Sequence, residues 1–357
     1  MRLPKAIHLI KPSRLPAAWL VLAAGCLWGA MLPARAADAV FPDSLPYPHV
    51  SPDGIVHVMP GEEVASATAR LHQQLARFGN PAVPVSEYLH AGERLEYMAY
   101  VGPLRAGAIS FAITTGLRPA DADRTVHARL HVEPNDWMRS SFNRFFNFSA
   151  EIRSAIDTRT GRSLLFTREE VVDGRLALAQ RIKPDYGLVN DAGLPVPAAL
   201  FSEEKADRRN RLVVNRRDPY AIPPAVQDAL SAFYYARSLP LERIGDEARF
   251  VLAGEKRLEH VALAVRGEDI IDLGPLGRYQ CWLVEPRIDT PGAPADGGAQ
   301  LARGQGAARL WIEKNTKIAL KAEIDINAKN LPANLLTVVA ILTKIENNPA
   351  LRPYRLD

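Results

Sequence analysis

From about residue 88 onward, apolar side chains recur at every second position, and short turn signals separate the runs. Leu95, Tyr97, Ala99 and Val101 alternate with Arg94, Glu96, Met98 and Tyr100. Ile109, Phe111 and Ile113 alternate with Ser110, Ala112 and Thr114, and Val126, Ala128, Leu130 and Val132 with His127, Arg129, His131 and Glu133. Phe148, Ala150, Ile152 and Ile156 repeat the pattern. A period of two marks strands with one dry and one wet face. The intervening turns, Gly102-Pro103, Asp157 to Gly161 and Asp173-Gly174, are too short for a parallel crossover, so the neighbours are antiparallel. One wet and one dry face per strand fits an antiparallel sheet and argues against a buried parallel one. The composition, 47 % apolar and 24 % charged, excludes a wholly disordered or collagenous chain.

The same reading gives strands over 163–171, 175–183, 249–253, 258–265 and 278–285. A hairpin follows, in which Leu310 and Ile312 lead through Lys314-Asn315-Thr316 into a return strand with Ile318, Leu320, Ala322, Ile324 and Ile326 on one face. Leu335 to Ile345 closes the domain as a last strand. Pro184 to Arg211 has no regular period, and its mixed-sign run, Glu203 to Arg209, reads as a solvated loop. Pro223-Pro224 open a helix over Ala225 to Arg237, with Val226, Leu230 and Phe233 on one face. Ahead of the strands, residues 37–60 are rich in proline, Glu62 to Phe78 has helical spacing with acids at its positive end, and residues 80–84 read as a linker. Thr290 to Gly306 reads as a flexible insertion. The expected architecture is mainly β (α+β): a curved antiparallel sheet or half-barrel covered by one helix, plus a short N-terminal helix. The expected divisions are a leader over 1–36, a lead-in over 37–87, the β domain over 88–345 and a tail over 346–357.

The first 36 residues carry Arg2, Lys5, Lys11, Arg14 and Arg35 and no acid. Leu15 to Leu32 is an apolar run of 18 residues, and Ala34-Arg35-Ala36 fits the small-x-small cleavage rule. We read a secretory signal cleaved after Ala36, which places the protein in the periplasm. An uncleaved anchor and lipidation at Cys26 are alternative readings. Without its five bases, the 44 Lys and Arg of the chain become 39 against 40 Asp and Glu, so the net charge moves from +4 to −1. The basic balance belongs to the leader, and no nucleic-acid partner is expected. After cleavage no transmembrane span is expected, and one cysteine, Cys281, is left in an apolar run where a buried small hydrophobe fits best.

No catalytic set stands out. There is no Gly-x-Ser-x-Gly elbow, phosphate-cradling glycine loop, paired-cysteine knuckle or His-Glu-x-x-His. His127 and His131 lie on a strand, roughly 13 Å apart, too far to share a metal with bonds of about 2 Å. Glu169 and Glu170 point to opposite strand faces. No catalytic residue, metal or cofactor is therefore expected. Aromatic residues are more suggestive. Trp137, Phe142, Phe145, Phe146 and Phe148 cluster, as do Phe233, Tyr234 and Tyr235, while Trp282 and Trp311 should face away from Cys281 and Leu310. These rings either close the core or line an apolar cavity between sheet and helix. For the second case the candidate ligand-binding residues are Phe146, Phe233, Tyr234 and Trp311.

Several blocks resemble an exported bacterial family called domain of unknown function 3108. They are Gly92-Glu93-Arg94-Leu95-Glu96-Tyr97 with Gly102 to Gly107, Phe145-Phe146 with Glu151 to Ser154, and the helix block Gln227 to Arg237. Gly277-Arg278-Tyr279 before Val284-Glu285-Pro286, and Ala308 to Ile312, complete the set. The resemblance implies a Gram-negative envelope protein and supplies no reaction or catalytic residue. Its strand pattern is also similar to the half-barrel of lipoprotein-localisation (Lol-type) carriers, which implies shielding of acyl chains. Three functions follow as expectations. The first is a non-enzymatic periplasmic binding protein for an apolar or envelope-derived ligand such as a lipid. The second is a structural or partner-binding envelope protein, and the third is an enzyme with an unrecognised site.

Overall fold

The computed structural model describes residues 80–115, 124–135, 148–188, 197–207, 211–216, 219–255, 258–289, 305–326 and 336–353. The leader, the Glu62–Phe78 helix, the Trp137–Phe146 cluster and nearly all of the 290–306 insertion lie outside these residues.

The described residues form one antiparallel sheet that does not close. Its first nine strands are β1 (Arg94–Val101), β2 (Leu104–Thr115), β3 (Thr125–Pro134), β4 (Phe148–Asp157), β5 (Ser163–Val172), β6 (Arg175–Asp185), β7 (Ala198–Ala206), β8 (Leu212–Arg216) and β9 (Tyr220–Ala221). After helix α1 (Ala229–Tyr235) come β10 (Glu247–Ala253), β11 (Leu258–Asp272), β12 (Arg278–Asp289), β13 (Gln305–Glu313), β14 (Ala319–Ile326) and β15 (Leu336–Glu346). The strand order is β10-β11-β12-β13-β14-β15-β1-β2-β3-β4-β5-β6-β7-β8, with β9 paired to β7. Chain neighbours are sheet neighbours almost throughout, and the β15–β1 pair joins the two halves. No helix among the described residues is long and apolar enough to cross a membrane.

The alternation sets the register. Leu95 stands opposite Phe111, Tyr97 opposite Ile109, and Phe111 opposite Leu130, so these residues share one face. That face is buried along β3, where Val126, Ala128, Leu130 and Val132 are all 7 % exposed or less. At the β5–β6 hairpin both Asp173 (φ 53°) and Gly174 (φ 73°) take the left-handed conformation, which a two-residue hairpin matched to strand twist requires.

The trough of the sheet holds α1. All seven of its residues are buried, the capping Ser231 among them, and a helix buried around its whole circumference belongs inside a core. So short a helix is not stable alone. Residues 225–227 strap it across the gap between the sheet's two halves. Ser163 N donates to Val226 O at 2.9 Å, while Gln227 N donates to Val251 O at 3.1 Å and Ala253 N to Gln227 O at 2.8 Å. On the same side, the Gln180 amide of β6 donates to Glu203 on β7 at 2.8 Å and to Glu255 after β10 at 2.9 Å.

Three expectations need correction. The helix starts at Ala229, four residues later than proposed, because Asp228 caps it and Gln227 is held in a bridge to Leu252 of β10. The supposedly irregular 184–211 segment contains β7; its charges hid the period, since Glu203, Glu204 and Lys205 sit on a strand that is half exposed. The 80–84 linker is packed into the body. Val83 N and Val85 N donate to Thr160 O and Thr158 O, and Val85, Tyr88 and Leu89 are buried. Gly161 permits this approach, because a Cβ there would lie 2.5 Å from Tyr88 Oη and 2.6 Å from Val83 O.

Candidate functional site

The site expected between sheet and helix is built from α1 and the strands around it. Its N-terminal anchor is Asp228. The carboxylate accepts from Leu230 N and Ser231 N, both at 2.8 Å, as an N-cap does. It also accepts from Ser154 Oγ of β4 at 2.5 Å and Ser163 Oγ of β5 at 2.6 Å. Burial pushes its carboxyl above the usual range, against the pull of these hydrogen bonds. The C-terminal anchor is a buried ion pair. Arg237 Nη1 lies 2.8 Å and 2.9 Å from the two carboxylate oxygens of Glu93, which Asn348 Nδ2 also reaches at 2.5 Å. The guanidinium sits 4.8 Å from the Tyr234 ring centre.

Between the anchors the space is filled. Phe233 stacks on Phe111 at 4.4 Å and 18°. Phe111 meets Tyr97 edge-on at 5.5 Å, and Tyr235 packs against Phe250 at 5.9 Å. Each such ring pair adds about 1 kcal/mol to the area it buries. One cavity of about 20 Å³ is left beside Phe233 and Ala236, against Leu263, Val284, Leu310 and Ile312. That is room for a single water, whereas ligand pockets run to roughly 300 Å³ or more. Lys317 stands at its edge, with Nζ donating to Leu241 O, and burial lowers the pKa of its ammonium.

The three candidate ligand residues that are described do not share one pocket. Phe233 lines the small cavity. Tyr234 is fully buried beside Arg237 and is not part of the cavity wall. Phe146 lies outside the described residues. Trp311 pairs with Leu283 while its neighbour Ile312 faces the cavity, so Trp311 points to the opposite face of the sheet. There its Nε1 donates to Asp269 at 2.9 Å, and Lys321 Nζ covers the ring at 4.4 Å. Trp282, opposite Ile312, lies under Lys314 Nζ at 4.0 Å. His127 and His131 lie on β3, and Glu169 is exposed while Glu170 is buried against Arg168. Cys281 is fully buried, and burial with Glu313 close by pushes its thiol up to about 12.

Sequence reasoning missed both anchors. Asp228 with Ser231 three residues later is a readable capping pattern, overlooked because Pro223-Pro224 offered an earlier start. Glu93 and Arg237 are 144 residues apart and carry no local signal. Both nevertheless fall inside the blocks that carried the family resemblance.

A second feature emerged at the free edge of the sheet. All five residues of β8 are exposed, with Leu212, Val213 and Val214 at 47, 52 and 57 %. Among known protein families, residues 96–332 match the one described as protein of unknown function (DUF3108). No curated protein matches the chain.

Proposed function

The chain belongs to the DUF3108 family, whose description carries no activity, and we propose that it is a non-enzymatic, partner-binding protein of the cell envelope. In this reading the 1–36 leader exports the chain and is cleaved after Ala36. The sheet, braced by α1, then serves as a rigid scaffold whose β8 edge receives another polypeptide. The observation that carries the reading is β8 itself. Edge strands are normally blunted by charge, bulges or cover, and here Leu212, Val213 and Val214, three of the strand's five residues, are apolar and open. A carrier of lipid or other apolar ligands would need space beneath α1, and the cavity described there has room for one water.

The test places a photo-crosslinking residue at Val213 of the full chain in its own cells, with a control at exposed Glu169 on β5. A defined second polypeptide is expected in covalent adduct at 213 and absent at 169. Native mass spectrometry of the exported protein should show no bound apolar molecule. Absence of a 213-specific adduct, or a stoichiometric lipid, overturns the reading.

A further inference from the structure

The two edges of the sheet are treated differently. On β10, the side chain of Asn80 takes both main-chain groups of Val251, with Nδ2 donating to its O at 3.0 Å and Oδ1 accepting from its N at 2.7 Å. Gln227 occupies the next positions, and the exposed residues Glu247 and Arg249 flank them. On β8, only the side towards β7 is paired, from Ser202 opposite Arg216 to Ala206 opposite Leu212. No strand among the described residues takes its other side. Leu212 and Val214 face one way and Val213 the other, so the apolar exposure is on both faces. Leu104, Ile244 and Ile270 are also exposed, but singly, which is ordinary.

Along this stretch of the chain the charge has one sign; the acids directly opposite the strand, Glu203 and Glu204, lie on its paired side, on β7. Between Asp207 and Asp218 the sequence holds five arginines and no acid. Arg211 and Arg216, both exposed, bracket the apolar centre. Arg211 is already held by Asp207 at 2.8 Å, which shows the position accepting a carboxylate. A second copy of this strand is a poor occupant. Antiparallel pairing centred between Val213 and Val214 sets Arg211 against Arg216 twice, and pairing about Val214 sets Arg216 against Leu212. Like charges directly opposite one another destabilise a strand pair.

We infer that β8 takes up an extended segment of a different protein, with an apolar, β-branched centre and Asp or Glu at its ends. This inference rests on the edge-docking reading and adds the chemistry of the partner. Main-chain ladder bonds to the free side of β8 supply the pairing. Alternate apolar residues of the partner cover Val213 on one face and Leu212 and Val214 on the other. The partner's carboxylates meet Arg216 at one end of the strand and Arg211 at the other.

The test uses the full chain and two fluorescein-labelled peptides. Both have a valine–threonine–valine centre, one between paired glutamates and the other between paired lysines. Fluorescence anisotropy should show the glutamate peptide binding at least about tenfold more tightly than the lysine peptide. Val213→Lys should abolish binding of both, and Arg216→Glu should reverse the preference. Both side chains are exposed, so the variants should unfold at the wild-type urea midpoint, which checks that they are folded. Equal binding of the two peptides, both lost in Val213→Lys, overturns the acidic chemistry and leaves the edge reading standing. Binding of neither peptide, binding insensitive to Val213→Lys, or a β8-dependent dimer in sedimentation each overturns the inference. The crosslink at 213 then decides the edge reading separately.

Discussion

Replacing Asp228 separates the two things its carboxylate supplies, hydrogen bonds and charge. Asp228→Ala removes four accepted bonds in a fully buried place. Loss of the cap costs about 1 kcal/mol. Two seryl hydroxyls, on Ser154 and Ser163, lose their acceptor in a dry site, at roughly 1–3 kcal/mol each. The expected destabilisation is about 4 kcal/mol, or roughly a 10 °C fall in Tm for a domain of this size. Asp228→Asn should behave differently. Its Oδ1 can still accept from Leu230 N and Ser231 N, and its Nδ2 can donate to the two hydroxyl oxygens, so its cost at neutral pH should stay within about 1 kcal/mol. The pH dependence has a definite sign. The folded carboxyl titrates above its unfolded value, so the native state binds the extra proton between the two. Wild-type stability from this group is greatest below the unfolded value and declines as pH rises through the folded one. In Asp228→Asn that decline is absent. Urea unfolding followed by tryptophan fluorescence and circular dichroism, from acid to neutral pH, measures all of this. An Asn variant as unstable as the Ala variant, or an Ala variant within 1 kcal/mol of wild type, refutes the reasoning.

Two further outcomes are expected. Glu93→Ala leaves the buried Arg237 guanidinium unpaired and should destabilise the protein by about 3–5 kcal/mol, whereas Glu93→Leu combined with Arg237→Met should recover most of that loss in the same urea assay. Cys281, buried and with its thiol pushed up to about 12, should resist a thiol-exchange reagent in the native protein at pH 8 and react at once in denaturant; native labelling at the denatured rate would contradict the burial.

Most of the sheet was legible because alternation is a local signal. β1 to β3, the Asp173-Gly174 hairpin and the return strand through Leu320 and Ala322 could each be read from a dozen residues. The legible part stops where burial stops. β7 is half exposed and β8 exposed throughout, and both mix charges with apolar residues, so the period that identifies a strand is absent there. The far half of β11, beyond Val265, is exposed and was missed for the same reason. The candidate site was legible only as composition. The aromatic excess around Phe233 marks a core, and core and pocket look alike in sequence, since both want rings at helical spacing. Only the fit of Phe233 on Phe111 tells them apart. Trp311 faces away from Leu310, as its alternation predicts, and lies beneath Lys321; that same alternation takes it away from the cavity beside Phe233 for which it was a candidate.

The unequal edges bear on stoichiometry. A sheet with two bare edges can add copies or partners without end, as fibrils do. Here the β10 side is terminated by Asn80 and Gln227, so lengthening through main-chain pairing can proceed from one side only. Once a single strand has joined β8, that edge is used up, and any further growth depends on the newcomer's own outer edge.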